Sequence, residues 1–527
     1  MNLGKLKIAL VNVPPLGVIE PWYDAPDFPR GALACLAAYL REQTAYEILC
    51  IDAKFDRLSF QQTIDSIIAF QPTIVGFTAF TNEIKPCAYV AAKVKALQPS
   101  IVTLIGGAHF TALPDRTLME FPAFDCGISG DGEETLLAFC RAIENKTSLL
   151  GIEGVVFRQE GEIVMNKPRA RMLDMDALPM PAWDLFRPAK HYWVQSSKGC
   201  PFKCHFCMNH NGRVARKNSV QKTMDELNFI ITNFKPEWIR FGDELFTVDM
   251  NRTAALLDEM AKQDIGGKVK WDVQTHVKYV NRELFKKFKA AKVTQVDMGV
   301  ESGDNEILKH MGKATNLDMI RDAFKVAHEE GVTTGSLLLI GQPFETRHTM
   351  MKTIDLAVEI NSSIPMFGIM TPFPGTEIAR MAAKGEGGFK NLSTNWDEYR
   401  KQIGGAVEFA GVSRNEIEWL QFWGYLKVFI WNFRFFELAK FIWKYQVEGF
   451  NVIKKLLLRT NNITDLFNNM PKDYEETIYS KYKASYADMI YSKEQFDVIQ
   501  RDEIRRTNLL RPELIKEQNP IKELDHK

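Results

Sequence analysis

Neither sign of charge is in excess: 66 lysines and arginines stand against 66 aspartates and glutamates. A chain without a net field does not gather nucleic acid or anionic lipid around itself, so no nucleic-acid partner is expected. Histidine is scarce, nine in 527 residues, and His109 is the single one before residue 190. No Gly-x-Gly-x-x-Gly follows the first strand-like run, which counts against a nicotinamide or flavin dinucleotide. No Asp-x-His-x-x-Gly follows it either. Met1-Asn2-Leu3-Gly4-Lys5-Leu6-Lys7 runs into a strand without the apolar core of a secretory leader. The most aromatic stretch, 419–443, is interrupted by Lys427, Arg434, Glu437 and Lys440. Each of these would cost roughly 2.5–3.5 kcal/mol at a bilayer centre, so a membrane span is rejected. A globular chain, 46% apolar and 25% charged, of about three domains is left.

Cysteine is also sparse, yet three of the eight fall within eight residues. Cys200-Pro201-Phe202-Lys203-Cys204-His205-Phe206-Cys207 has the spacing C-x3-C-x2-C. Structural zinc takes four ligands, usually in C-x2-C pairs. Three thiols leave one metal position without a protein donor. On a 4Fe-4S cluster they would anchor three irons and leave the fourth open for chemistry. The alternatives are a zinc site completed by His205 or His210, or three unrelated cysteines. Cys35, Cys50, Cys87, Cys126 and Cys140 are widely spaced and read as small buried hydrophobes. The tail has no second cysteine group, so an auxiliary cluster is not expected. Thiols needed in reduced form point to the cytoplasm.

Residues 1–150 alternate strand-length apolar runs (7–13, 46–52, 74–79, 101–106, 125–129) with helical stretches (31–42, 60–70, 84–97, 114–120, 133–143). Five strands separated by helices predict an α/β fold, a doubly wound five-stranded parallel sheet. Its ligand belongs outside the strand carboxyl ends. The residues there are Thr78, Ala79 and Thr81 after the third strand, Gly106, Gly107 and His109 after the fourth, and Gly130, Gly132 and Glu133 after the fifth. Glycines let a backbone approach a bulky ligand; the plain alternative for each is a turn.

Residues 151–189 read as a connector, with a hairpin around Glu160-Gly161-Glu162 and a proline-rich run at 178–185, and no chemistry is assigned to it. Residues 190–385 repeat strand then helix six times, which predicts a parallel barrel or partial (β/α)6 barrel with active groups at the strand C-termini. Those ends carry Gly242, Asp243 and Glu244, then Gln274 with His276, Glu301 with Ser302, and Ile340 with Gly341. Each has a capping or turn role as its plainer reading. Residues 386–527 read as a mainly helical C-terminal domain, opened by the capping box Ser413-x-x-Glu416. Its aromatic stretch is either a helix or helix pair covering the barrel, or an aromatic wall for a lipophilic substrate or a membrane surface. The charged remainder is helical in pattern, with 519–527 frayed.

The C-x3-C-x2-C loop with Phe206 before its last cysteine resembles the signature of the radical S-adenosylmethionine (SAM) enzymes. Asn12-Val13-Pro14-Pro15, Arg30-Gly31-Ala32-Leu33, Gly106-Gly107-Ala108-His109 and Gly130-Asp131-Gly132-Glu133 resemble the cobalamin-binding domain that precedes many of them. The class is that of the radical C-methyltransferases and the anaerobic porphyrin cyclase. The resemblance implies a 4Fe-4S cluster on Cys200, Cys204 and Cys207, with SAM on its open iron. It implies SAM contacts from Phe206, Gly242, Asp243, Glu244, Gln274, Glu301, Ser302, Ile340 and Gly341. Cobalamin contacts would come from Thr78, Ala79, Thr81, Gly106, Gly107, His109, Gly130, Gly132 and Glu133. Without the Asp-x-His-x-x-Gly motif, no histidine is expected under cobalt. The implied reaction methylates an unactivated carbon, with one SAM feeding methyl to cobalamin and another cleaved to a deoxyadenosyl radical. An external one-electron donor such as ferredoxin or flavodoxin would serve it. Alternatives are a cobalamin-dependent cyclase or ring-rearranging enzyme, a methylthiotransferase, and a non-enzymatic cobalamin sensor.

Overall fold

The computed structural model describes residues 5–390, 392–402, 406–444 and 466–478. The helical pattern expected over 479–527, with its frayed end, lies outside these residues.

The first sheet is built from β1 (Lys7–Asn12), β2 (Glu47–Asp52), β3 (Ile74–Thr78), β4 (Val102–Gly106) and β5 (Cys126–Ile128), all parallel, in the order β2-β1-β3-β4-β5. Its strands are apolar on both faces because helices cover both. Ile8, Leu10, Ile74 and Leu104 pack with Leu33, Ala37 and Leu40 of helix Gly31–Gln43 and Leu136 of helix Glu133–Asn145. The alternate residues Ala9, Val11, Val75 and Ile105 pack with Ile64 of helix Phe60–Phe70 and Val90 of helix Ile84–Leu97. The strand order reverses between β1 and β3, which opens a crevice at their carboxyl ends.

The hairpin expected as part of a connector belongs to this sheet. β6 (Val155–Gln159) pairs antiparallel with β5, and β7 (Glu162–Met165) with β6, giving seven strands rather than five. β5 spans only three residues, and Val155 and Val156 bury their side chains as they extend its edge.

The second sheet holds six parallel strands: β8 (His191–Val194), β9 (Trp238–Phe241), β10 (Lys270–Thr275), β11 (Gln295–Glu301), β12 (Thr334–Ile340) and β13 (Ile364–Ile369), in linear sequence order. Each crossover carries a helix, and among the described residues β8 and β13 do not pair, so the barrel is open on one side.

The β13 edge is covered. Helix Arg414–Trp431 lies on β13: Gln421 Nε2 donates to the Phe367 carbonyl (2.8 Å), and the Phe367 amide donates to the Tyr425 hydroxyl (3.1 Å). Satisfying these backbone groups blunts an edge that would otherwise template pairing with another chain. This bears out the covering reading of the aromatic stretch. No helix among the described residues is long and apolar enough to cross a membrane.

Candidate active site

Both sheets present their strand carboxyl ends to one cavity of about 460 Å³. On the first sheet's side it is lined by Thr78, Gly106, Gly107, Gly130, Gly132 and Glu133; on the barrel side by Trp193, Gln195, Gly242 and Glu244. Eight of the expected site residues therefore meet across the domain boundary. Leu10, Gly76 and Leu104 of the sheet and Leu33 and Leu36 of the covering helix add an apolar part to the lining. Gly107 sits at φ +95°, and a Cβ there would fall 2.7 Å from the Ala79 carbonyl oxygen, which cannot move aside.

Other expected contacts stand behind the wall. Ala79 and Thr81 are buried and do not line the cavity. His109 is the clearest departure. On the short helix Ala108–Ala112, Ala108 and Thr111 face the cavity. His109, rotated away by one helical step, lies edge-on to Trp396, with ring centroids 4.9 Å apart. Burial and nearby Arg116 hold its imidazole neutral, with its pKa pushed down to about 3. The side chain faces away from any ligand of this cavity.

The pair Asp243 and Glu244 divides its work. Asp243 is buried and accepts from the Ser196 amide (2.7 Å), the Ser196 hydroxyl (2.7 Å) and the Ser197 hydroxyl (2.9 Å). These bonds knit β9 to the strand before the cysteine loop. Glu244 faces the cavity, with the Gly199 amide (3.1 Å) and the Asn211 side chain donating to it. Gly242 is dictated by packing, since a Cβ there would lie 1.4 Å from Nε1 of Trp193.

Deeper in the barrel, Glu301 adopts φ +66° and its carboxylate pairs with Lys313 (2.8 Å), both buried. Lys313 lies beside Cys204 and favours its thiolate, against burial that pushes the thiol up to about 11. Ser302 is buried against Thr353 and steadies helix Arg347–Ile360, while the Gln274 carbonyl accepts from the Phe246 amide. Ile340 is buried, and Gly341 lies against Phe409. Gln274, Glu301, Ser302, Ile340 and Gly341 do not line the cavity.

The cysteine loop is held by its backbone. The Cys200 amide donates to the Gly212 carbonyl (3.1 Å), the His205 amide to Met311 (2.8 Å), and the Cys207 amide to Cys204 (3.1 Å). Among the described residues no three His, Cys, Asp or Glu side chains converge on one point. Three cysteines on one loop can each bind a different iron, so the donor set suits a cluster. The cavity is likewise suited to a corrinoid: a glycine-backbone edge, apolar lining side chains, and a buried Asn12 Oδ1 left without a partner at its wall.

Three further contributors were not expected from sequence. Trp22, Phe28 and Trp193 form a ring cluster on the cavity wall, with centroids 5.2–5.6 Å apart. The connector, to which no chemistry was assigned, supplies Met175, Leu178, Pro179, Pro181 and Trp183 to the lining. Asp131, between two lining glycines, binds Arg171 (2.8 Å) and Arg216, and Glu133 binds Lys198 (3.1 Å), so the sheet's last loop is stapled to the strands flanking the cysteines. In contrast, none of the tail's described aromatics lines the cavity, and Trp431, Phe433, Phe436 and Trp443 are exposed on the surface.

Comparison with known proteins agrees with this architecture. The model of the radical SAM superfamily matches residues 194–357, and that of the B12 binding domain matches residues 25–140. An uncharacterized methyltransferase of Pyrococcus horikoshii is 30% identical over 75% of this chain and 86% of its own length. An anaerobic magnesium-protoporphyrin IX monomethyl ester cyclase of Rubrivivax gelatinosus is 25% identical over 67% of this chain and 66% of its own length. The solved structure of the cobalamin-dependent SAM radical enzyme OxsB superposes with a TM-score of 0.67 at 16% identity, covering 96% of this chain and 80% of that one. This chain belongs to the cobalamin-dependent radical SAM enzymes, its B12-binding sheet standing ahead of its radical SAM barrel.

Proposed function

We propose that this enzyme methylates a carbon of a flat, apolar small molecule. The observation that carries the reading is the continuity of one cavity from the glycine edge of the first sheet to Glu244 and Trp193 of the barrel. When bound, the cluster supplies the electron that cleaves SAM and the corrinoid carries the methyl group. Cys200, Cys204 and Cys207 would hold the cluster. Glu244, the cavity-facing carboxylate, would accept charge-assisted hydrogen bonds from the SAM ammonium. The backbone at Gly106, Gly107 and Gly130 lets a broad ring approach the sheet edge. Trp22, Phe28 and Trp193 offer an apolar wall for the substrate, and their bulk keeps water from the reacting carbon.

The Arg240 guanidinium lies 5.6 Å from the Trp22 ring and 5.8 Å from the Trp193 ring. With a cation already on them, these rings suit a neutral or electron-rich partner better than a second cation. The name of the Pyrococcus relative supports methyl transfer. Ring closure without methyl transfer is the second reading, favoured by likeness to the porphyrin ester cyclase. An external one-electron donor such as ferredoxin or flavodoxin, and a peripheral contact through the exposed tail aromatics, belong to the same proposal.

The first test is anaerobic. The reconstituted protein should form 5′-deoxyadenosine from SAM under strong reductant, and failure to do so would remove the enzymatic reading in favour of a sensor. The second compares metabolites with and without the encoding gene by mass spectrometry. A product heavier by one CH2 supports methylation, whereas loss of hydrogens without added carbon supports the cyclase.

A further inference from the structure

One flank of the cavity carries polar groups that the reading above leaves unused. Helix Val220–Phe234 turns Glu226 into it, a glutamate only 5% exposed. Beside it stands Trp183, 1% exposed, whose indole N–H closes no hydrogen bond of good geometry; burial pushes the Glu226 carboxyl up to about 7, and the nearby indole N–H opposes that rise. Lys222, one turn earlier on the helix, favours the ionised carboxyl from a distance, while its ammonium is engaged by the carbonyls of Met175, Asp176 and Leu178. The remaining wall is Cys35, Leu36 and Pro181. A buried donor or acceptor left unpaired costs about 1–3 kcal/mol. Here a buried indole N–H and a buried carboxyl stand side by side in the lining of that cavity.

We propose that Glu226 and Trp183 receive a primary carboxamide from the rim of the corrinoid, the amide N–H donating to Glu226 and the amide oxygen accepting from the Trp183 indole. This rests on the cobalamin reading above. The chemistry of the pair selects the group. A carboxylate would meet Glu226 with like charge. An ammonium would satisfy Glu226 but place donors against the Trp183 N–H. A hydrocarbon would leave both unpaired. A carboxamide offers a donor and an acceptor on one carbon, and cobalamin carries several around its ring.

The test is equilibrium binding of hydroxocobalamin to the full chain with its cluster reconstituted, read by absorbance after dialysis. Glu226→Leu should weaken binding roughly ten-fold, since a rim amide left without its buried partner costs about 1–3 kcal/mol, and Glu226→Gln should retain most of it. Trp183→Phe keeps the ring that packs against Tyr192 (5.5 Å) and should also weaken binding, so the idea stays testable if the leucine variant does not fold. Cobalamin monocarboxylic acids, in which one rim amide is a carboxylate, supply the specific arm. Wild type should discriminate against one isomer, and Glu226→Gln should relieve that discrimination. Unchanged hydroxocobalamin affinity in Glu226→Leu and Trp183→Phe, or unchanged discrimination in Glu226→Gln, would overturn the inference. If wild type bound no corrinoid at all, the cobalamin reading itself would fall, a distinguishable result.

Discussion

Arg400 and Asp24, 376 positions apart in sequence, meet in a buried ion pair with Nη1 3.0 Å from Oδ2. Asp24 also accepts from the amides of Ile19 and Glu20, at 2.9 Å each. Arg400 belongs to a segment that lies along β13, where the Ile369 amide donates to the Lys401 carbonyl (2.7 Å). Two residues before Asp24, the Trp22 ring lies 5.6 Å from Trp193 on β8. One short stretch of the first domain thus reaches both free edges of the open barrel and brings Trp22 to the cavity.

Removing one partner of such a pair leaves an uncompensated charge, so Arg400→Met should lower unfolding stability by about 3–5 kcal/mol. The double change Asp24→Asn with Arg400→Met removes both charges and should recover much of that loss. Denaturant midpoints of the three proteins decide it. Equal loss in the single and double variants would show that the pair is not what holds this stretch.

Asp243 and Glu244 should separate cleanly. Glu244→Gln leaves the packing intact and should weaken SAM binding roughly ten-fold, by loss of a charged hydrogen-bond acceptor. Asp243→Asn should leave SAM affinity near wild type while lowering the melting temperature, because its oxygens hold Ser196 and Ser197. SAM binding by dialysis beside thermal melts reads both. The reverse pattern would exchange the roles.

Much of this was legible in the residues because it is periodic or local. Strands that are apolar on both faces, separated by amphipathic helices, read directly as covered parallel sheets. The cysteine spacing is contained in one loop. Side-chain direction was not legible. Nothing in Gly106-Gly107-Ala108-His109 tells that a short helix begins there and turns the imidazole away. Asp243 and Glu244 are adjacent carboxylates just past the end of β9, and only the path of the chain there decides which is buried. As one alternative to a covering helix, the dense aromatics of the tail suggest an aromatic wall. Its actual members, Trp22, Phe28 and Trp193, come from segments that meet only through long-range packing. The hairpin at 155–165 carried a turn signal but no indication of which strand edge it would join.

The two proposed cofactor sites draw on different domains, which predicts reciprocal losses. Cys204→Ala should abolish 5′-deoxyadenosine formation while corrinoid content stays near wild type. Gly107→Val should do the opposite, since a side chain at φ +95° would press on the Ala79 backbone at 2.7–2.8 Å. Iron, corrinoid and deoxyadenosine are assayed on the same preparations. Joint loss in either variant would mean that the stapled interface around Asp131 makes the two sites one cooperative unit.

Glu345 gives the fold a pH dependence of calculable sign. It follows β12; one carboxyl oxygen accepts from the Gln342 amide (2.8 Å) and the other is buried without a partner. Burial pushes its pKa up to about 8, helped by Asp304 and opposed by the Gln342 and Gly341 amides. Below the ordinary value of 4.5 both folded and unfolded chains carry the proton, and this group has no effect. Between 4.5 and about 8 the unfolded chain releases its proton while the folded one keeps it. Stability then falls as pH rises, by about 1.4 kcal/mol per unit. Glu345→Gln removes the titration, so its stability advantage over wild type should grow steadily through that window and level off above it. Unfolding midpoints of the two proteins across the range measure the gap, and a gap independent of pH would mean that the carboxyl finds compensation as it ionises.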